Sequence, residues 1–355
     1  MKTKRIDSLE GIRTIAFLMV FLAHSNVYNP FKYMSYSGVS LFFILSGFGM
    51  VYSSRLNDKV PEPTIRNCFL FSCKKMKKIY PLYVIYLLFY FVVEFNNGQV
   101  LWVKIVNLIA NLGFLSAWSV LPQIYNIGSV NWFLCGIVFS NMLFPVFWKH
   151  MKKKNRSSKE IFVCITSLIV AELILDILLG VFSTITGNNI FVRLSYQLPV
   201  FRLIDIVLGY NIADLFLTVE HDNKNGKYTL YEIALCVIYG LFLIVLCSPW
   251  AGLRGFLPGP ILFTSAYTMA NSAIIYLFAV SKGLVSEKII SSKPLLMISG
   301  VSMYAYLIHP IVNKVIGYGR FRYEAYIKLT VGLCITLTIS MICKMISDKM
   351  YSIKK

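Results

Sequence analysis

Charge is scarce in this sequence. Asp, Glu, Lys and Arg make up 14% of the 355 residues against 57% hydrophobic, and the mean hydropathy is +0.66. So apolar a chain of this length excludes a soluble domain, and residues 1–355 read as one membrane-embedded unit with no separate soluble part. Acidic residues are scarcer still, 16 against 35 basic, for a net charge of +19. In a soluble protein that imbalance would point to nucleic acid. Here Lys and Arg cluster in the breaks between apolar runs, which is the pattern of topology signals and anionic-lipid contacts, so nucleic acid is not expected as a partner. The eight cysteines include no CxxC pair, and most fall inside apolar runs. They are expected to be buried packing residues, with neither a disulfide framework nor a metal site. No small-residue cleavage site follows the first apolar run, which is expected to stay in the mature protein. No internal repeat or low-complexity tract is visible, so an inverted-repeat transporter has no direct support.

What the chain has instead is a succession of apolar runs long enough to cross ~30 Å of hydrocarbon. They fall at about residues 11–27, 39–52, 79–95, 132–148, 161–184, 198–217, 230–247, 260–280, 295–316 and 327–346. The expected fold is all-α, a polytopic bundle of about ten transmembrane helices in the cell (inner) membrane. The N-terminal MKTKR, the basic block over 53–78, KHMKKKNRSSK and the KMISDKMYSIKK tail all belong inside, which places both termini in the cytoplasm. Residues 101–120 are apolar enough to cross, but crossing would put KHMKKKNRSSK outside. They are therefore read as a non-spanning or re-entrant segment on the outer side. PEPTIRNCFLFSCKKMKK is expected to form an amphipathic helix on the inner surface.

The first run carries Arg13 and His24, eleven residues apart. At ~1.5 Å rise and ~3.6 residues per turn, that is about 16 Å and three turns, so both lie on one helix face. Ionisable residues inside a membrane helix are costly and mark functional sites. Singly, Arg13 reads equally as a snorkelling side chain and His24 as a structural histidine. As an aligned pair they suit a cation at the inner mouth holding a phosphate and a deeper general base. His309, in SMYAYLIHPIV, is either a histidine at the Pro310 kink or a partner to His24 at similar depth. Lys75 and Lys78, in KKMKKIYPLY, serve topology and are candidates for a phosphate clamp facing the same cavity as Arg13. Glu172 and Asp176, four apart, share a face and are expected to line a substrate cavity, whereas Arg202 and Asp205, three apart, are expected to pair. Trp132, beside Asn131, sits at a span mouth, as a belt tryptophan or as part of that cavity. The Ser46–Gly47 step permits close helix approach. His150 and His221 fall in polar breaks and are given no role.

These residues resemble a known family, the membrane-bound acyltransferase 3 family. LEGIRTIAFLMVFLAH looks like its first-helix signature of Arg or Lys, ten residues, then His, and GVSLFFILSGF is similar to its second-helix signature. KKMKKIYPLY, NWFLCGIVFSNMLFP and YLIHP resemble its later motifs, in order, over most of the chain. The chain departs from the family at Lys75 and Lys78, where the basic pair is commonly arginine and where lysine lacks the bidentate fork. The carboxylate after the Trp segment and the esterase-like domain of some members are not seen here, so any second catalytic step is expected to need a separate protein.

The resemblance implies an O-acyltransferase, in the first instance an O-acetyltransferase, that uses acetyl-CoA as donor substrate with no permanently bound cofactor. The acceptor would be a surface carbohydrate or glycolipid. Arg13, Lys75 and Lys78 would hold the coenzyme, and His24 and His309 would act in catalysis. The alternatives are an exporter or flippase of a polysaccharide intermediate and a membrane scaffold without chemistry.

Overall fold

The structure, a computed structural model, describes residues 5–25, 33–57, 59–93, 98, 100–119, 124–128, 130–153, 156–220, 226–247, 257–317 and 325–352. Lys32, His221, Lys224, Arg254, Arg320 and Arg322, all in sequence-predicted breaks, lie outside the described residues. Among the described residues there are helices and turns and no strand. In chain order the helices are α1 (Asp7–His24), α2 (Met34–Asn57), α3 (Ile65–Met76), α4 (Tyr80–Val93), α5 (Leu101–Leu112) and α6 (Trp132–Lys153). There follow α7 (Ser158–Thr186), α8 (Ile190–Gln197), α9 (Pro199–Thr218), α10 (Gly226–Cys247) and the short α11 (Gly259–Phe263) running into α12 (Ser265–Val280). A π-helical turn, Val285–Ile290, leads to α13 (Lys293–Ser299), α14 (Ser302–Gly317) and α15 (Ala325–Ser352).

Six of these units are long and apolar enough to cross a membrane: α2, α6, α7, α10, the α11–α12 pair and α15. Two bent pairs, α3–α4 and α13–α14, each turning by 75°, raise that number to as many as eight if each pair is one span. α1 and α9 are less apolar because each carries three charged side chains, Asp7, Glu10 and Arg13 in one and Arg202, Asp205 and Asp214 in the other. Lipid would not tolerate these helices on their own, and protein surrounds both. α1 is pinned by Ser8 Oγ donating to the Phe278 carbonyl at 2.5 Å and by Thr14 Oγ1 donating to the Leu295 carbonyl at 2.6 Å. α9 buries Asp214 between Arg55 at the end of α2 (2.7 Å) and Arg156 just before α7 (2.6 Å).

α2 and α9 are the central pair, and glycine sets their separation. A Cβ on Gly47 would fall 2.1 Å from the Ile206 carbonyl oxygen, and one on Gly209 would fall 2.1 Å from that of Ile44. The two backbones touch at a step visible in the sequence as Ser46–Gly47. A methyl group added at Gly209 must push the helices apart. Overpacking of this kind typically costs ~1–3 kcal/mol, so Gly209→Ala is expected to lower the unfolding temperature in detergent by several degrees. An unchanged transition would contradict the backbone contact.

α2 begins five residues earlier than the sequence pattern suggests, because the serines ahead of its apolar run are bonded inside the bundle. Ser37 Oγ, for example, donates to Asn271 Oδ1 at 2.9 Å. α5, at 12 residues, reaches only about 18 Å and cannot cross. It turns two buried asparagines inward. Asn107 Oδ1 accepts the Tyr125 amide at 2.9 Å, and Asn111 Oδ1 accepts from the Ile127 amide at 3.2 Å and from Asn131 Nδ2. α5 thereby fixes the chain that enters α6 at Trp132.

Candidate active site

Arg13 projects from α1 into a cavity of about 250 Å³ at the end of the bundle where α1 begins; Arg5, Ser46, Ser299, Tyr304 and Tyr306 also line it. Glu10, one turn earlier, aligns the guanidinium. Arg13 Nη1 donates to Glu10 Oε1 at 2.8 Å and Oε2 at 2.7 Å, and Ser299 Oγ donates to the same carboxylate at 2.5 Å. Nε and Nη2 of Arg13 have no partner among the described residues. A second cavity of about 140 Å³ also reaches Arg5, Glu10 and Arg13, so this pair separates two openings at the same end.

His24 is the last residue of α1 and is exposed to a cavity of about 200 Å³ at the opposite end, lined also by Tyr36, Trp132, Tyr196, Gln197 and Tyr306. Trp132 is buried, with its ring 4.5 Å from that of Tyr196. His24 Nδ1 lies 2.9 Å from the Val20 carbonyl oxygen. A carbonyl can only accept, so Nδ1 carries the proton and the lone pair of the neutral ring is on Nε2, the atom a base needs. His309 sits edge-on to His24 with centroids 5.2 Å apart and is fully buried. Its Nδ1 is 3.2 Å from the Ala305 carbonyl, and its Nε2 is buried with no hydrogen-bond partner among the described residues. Pro310 follows within α14, which continues past it, so the amide that position 310 would offer to the Tyr306 carbonyl is missing.

Tyr306 lines both cavities. Its hydroxyl donates to the Val130 carbonyl at 3.1 Å, and its ring lies 5.0 Å from Phe133 and 6.1 Å from Phe42, which are 5.9 Å from each other. These three buried rings form one aromatic layer on the wall of the Arg13 cavity, and Tyr306 within it also borders the His24 cavity. One face of α1 thus presents a cation to one cavity and an imidazole to the other.

The other candidates lie apart. Lys75 is exposed, its Nζ 5.2 Å from the centre of the Phe71 ring. Lys78 is exposed and paired with Asp348 at 2.7 Å. Neither is among the residues lining the Arg13 cavity, where the second cation is Arg5. Glu172 and Asp176, expected at a substrate cavity, stand instead in a closed buried network. Arg202 Nη1 donates to Asp205 at 2.9 Å, its Nη2 lies 3.7 Å from Glu172, and Ser40 donates to Asp205 at 2.9 Å. Asp176 accepts from Thr264 Oγ1 and from the Ser265 amide. The two carboxylates do share a face, and that face looks at α9 and α12.

Three contributors were not singled out from the sequence. Glu10 stands three residues before Arg13, the spacing of a helical ion pair. Tyr306 stands three before His309 and so shares its face. Arg5 lies in the basic start of the chain, where it reads only as a topology signal.

Residues 6–345 match the model of the acyltransferase 3 family, described as an acyltransferase domain. The chain matches no curated protein and no solved structure.

Proposed function

As a member of the acyltransferase 3 family this chain is a multi-pass membrane acyltransferase, and we propose that it moves an acetyl group from cytoplasmic acetyl-coenzyme A to a hydroxyl of an envelope carbohydrate. The observation that carries this reading is the α1 face that runs past two cavities, with Arg13 in one, His24 in the other and Tyr306 between. The clustering of Lys and Arg in the breaks supports a cytoplasmic Arg13 end in the cell (inner) membrane, with both termini on that side. If each bent pair is one span and α1 and α9 also cross, the count is ten, in keeping with this reading.

In this account the coenzyme's phosphates meet Arg13 and Arg5, while Lys75 and Lys78 add positive potential on the same face. The pantetheine arm follows α1, displaces the ring layer and carries the thioester toward His24. The acceptor enters from the opposite end. His24 Nε2 takes the proton of the acceptor hydroxyl, and the oxygen attacks the thioester carbonyl carbon. The carbon–sulfur bond then breaks, and the thiolate recovers the proton from the imidazolium. One ester and one thiol form with no net proton change. His309 Nε2, a buried lone pair, accepts a hydrogen bond from the acceptor and orients it. A positioned base contributes ~10² to 10⁴ in rate, and alignment of the reactants can contribute ~7–11 kcal/mol.

The reading is tested with purified protein in vesicles. Thiol release from acetyl-coenzyme A should require the glycan acceptor, and acetyl ester should appear on it by mass analysis. Passage of the glycan across the vesicle wall without thiol release would contradict it and favour an exporter. Arg13→Ala should raise the KM for the donor by about 10- to 100-fold, the loss expected for charge-assisted hydrogen bonds, because it removes the cation and leaves Glu10 facing the phosphates. An unchanged donor KM would count against the clamp.

A further inference from the structure

The His24 cavity does not end at Trp132 and Tyr196. Gln197, the last residue of α8, lines it and also lines a neighbouring cavity of about 210 Å³ at the same end of the bundle. The walls of this neighbour come from the 116–119 turn, residues 124–126 and Arg193. Its polar groups are arranged in a chain. Ser116 Oγ donates to Asn126 Oδ1 at 2.9 Å, and Asn126 Nδ2 donates to Gln197 Oε1 at 3.1 Å. That leaves the Gln197 amide protons with no acceptor among the described residues. Arg193 Nη2 donates to the Ser119 carbonyl at 2.8 Å, which fixes the plane of the guanidinium. Nε and Nη1 of Arg193 have no partner among the described residues, and no described carboxylate pairs with it. A held guanidinium with unused donors, set among neutral amides and hydroxyls, matches an oxyanion on a hydroxyl-rich ligand.

We propose that this cavity is a subsite for a sugar residue carrying an anionic group, a carboxylate or a phosphate, next to the sugar whose hydroxyl is acylated at His24. Arg193 binds the anion, and Asn126 and Gln197 bind the ring hydroxyls. Gln197, shared by both cavities, sets the register between the anchored sugar and the reacting one. The inference rests on the acceptor being a carbohydrate that enters at the His24 end. Its test measures binding without acetyl-coenzyme A, so this proposal and the acyl-transfer reading can fail separately.

The experiment titrates the purified full chain in detergent with methyl β-D-glucuronide, α-D-glucose 1-phosphate, methyl β-D-glucoside and inorganic phosphate. At least one acidic sugar should bind about tenfold more tightly than the neutral glucoside, and the stronger of the two identifies carboxylate or phosphate as the natural group. Arg193→Gln should erase the difference between acidic and neutral sugars, and Arg13→Ala should preserve it. Gln197→Ala, which removes no charge, should weaken all three sugars while keeping the acidic preference, and it serves if Arg193→Gln does not fold. Three results would overturn the proposal: equal binding of acidic and neutral sugars, an acidic preference lost in Arg13→Ala but kept in Arg193→Gln, or inorganic phosphate binding as tightly as the acidic sugars.

Discussion

Replacing His24 with alanine should lower acetyl transfer by ~10² to 10⁴ or more, the range a positioned general base supplies, while the protein inserts and unfolds much as the wild type does. The second half of that expectation follows from where the side chain sits. His24 is exposed at the end of α1, so its removal opens no void in the core. Surface changes of this kind usually stay within about 0.5 kcal/mol. His309→Ala is the control that separates chemistry from packing. That ring is fully buried against Phe17, Phe21, His24 and Tyr306, and truncating it leaves a hole. Thiol release and thermal unfolding, measured on both variants, should therefore diverge: His24→Ala loses rate and keeps stability, and His309→Ala loses both. Near wild-type transfer in His24→Ala would remove it as the base.

The largest stability loss is expected at Arg202. Its side chain is 2% exposed and is the cation for Asp205 at 2.9 Å and Glu172 at 3.7 Å, with the Ser195 carbonyl accepting from Nη2 at 3.1 Å. Removing one partner of a buried ionic group strands the other, typically at ~3–5 kcal/mol. Arg202→Ala should therefore fail to accumulate or unfold far below the wild type. Restoring charge balance with Asp205→Asn and Glu172→Gln in the same chain should recover much of the loss, because what destabilises is the stranded charge. A stable single variant, or no recovery in the triple one, would contradict the network. The charges of α9 make it too polar for lipid, and the same charges fasten α2, α7 and α9 together.

Much of this molecule could be read from its sequence, and the divisions have physical causes. Helix period is local, so the shared face of Arg13 and His24 and the Arg202–Asp205 pair follow from spacing. The non-spanning character of α5 followed from the basic block after α6. What that block could not tell is that Asn107 and Asn111 turn inward to hold the chain at Asn131. Contacts between distant segments carry no local signal. Glu172 and Asp176 look the same on a helical wheel whether they face a cavity or an arginine on another helix, and only the packing of α7 on α9 decides. Lys75 and Lys78 are positive wherever they point, and in the fold neither lines the Arg13 cavity. Tyr306 reads as one aromatic among many until α14 lies beside α2 and α6.

The central claim is that the Arg13 cavity and the His24 cavity are two halves of one donor path, closed by Phe42, Phe133 and Tyr306. The measurement that reaches it most directly is the density of a non-cleavable ketone analogue of acetyl-coenzyme A bound to the whole protein. The account predicts phosphates beside Arg13 and Arg5, an arm along α1 past a displaced Tyr306 ring, and the ketone within reach of His24. An analogue lodged elsewhere, or one that stops at an unmoved ring layer in a protein turning over acetyl-coenzyme A, would contradict it.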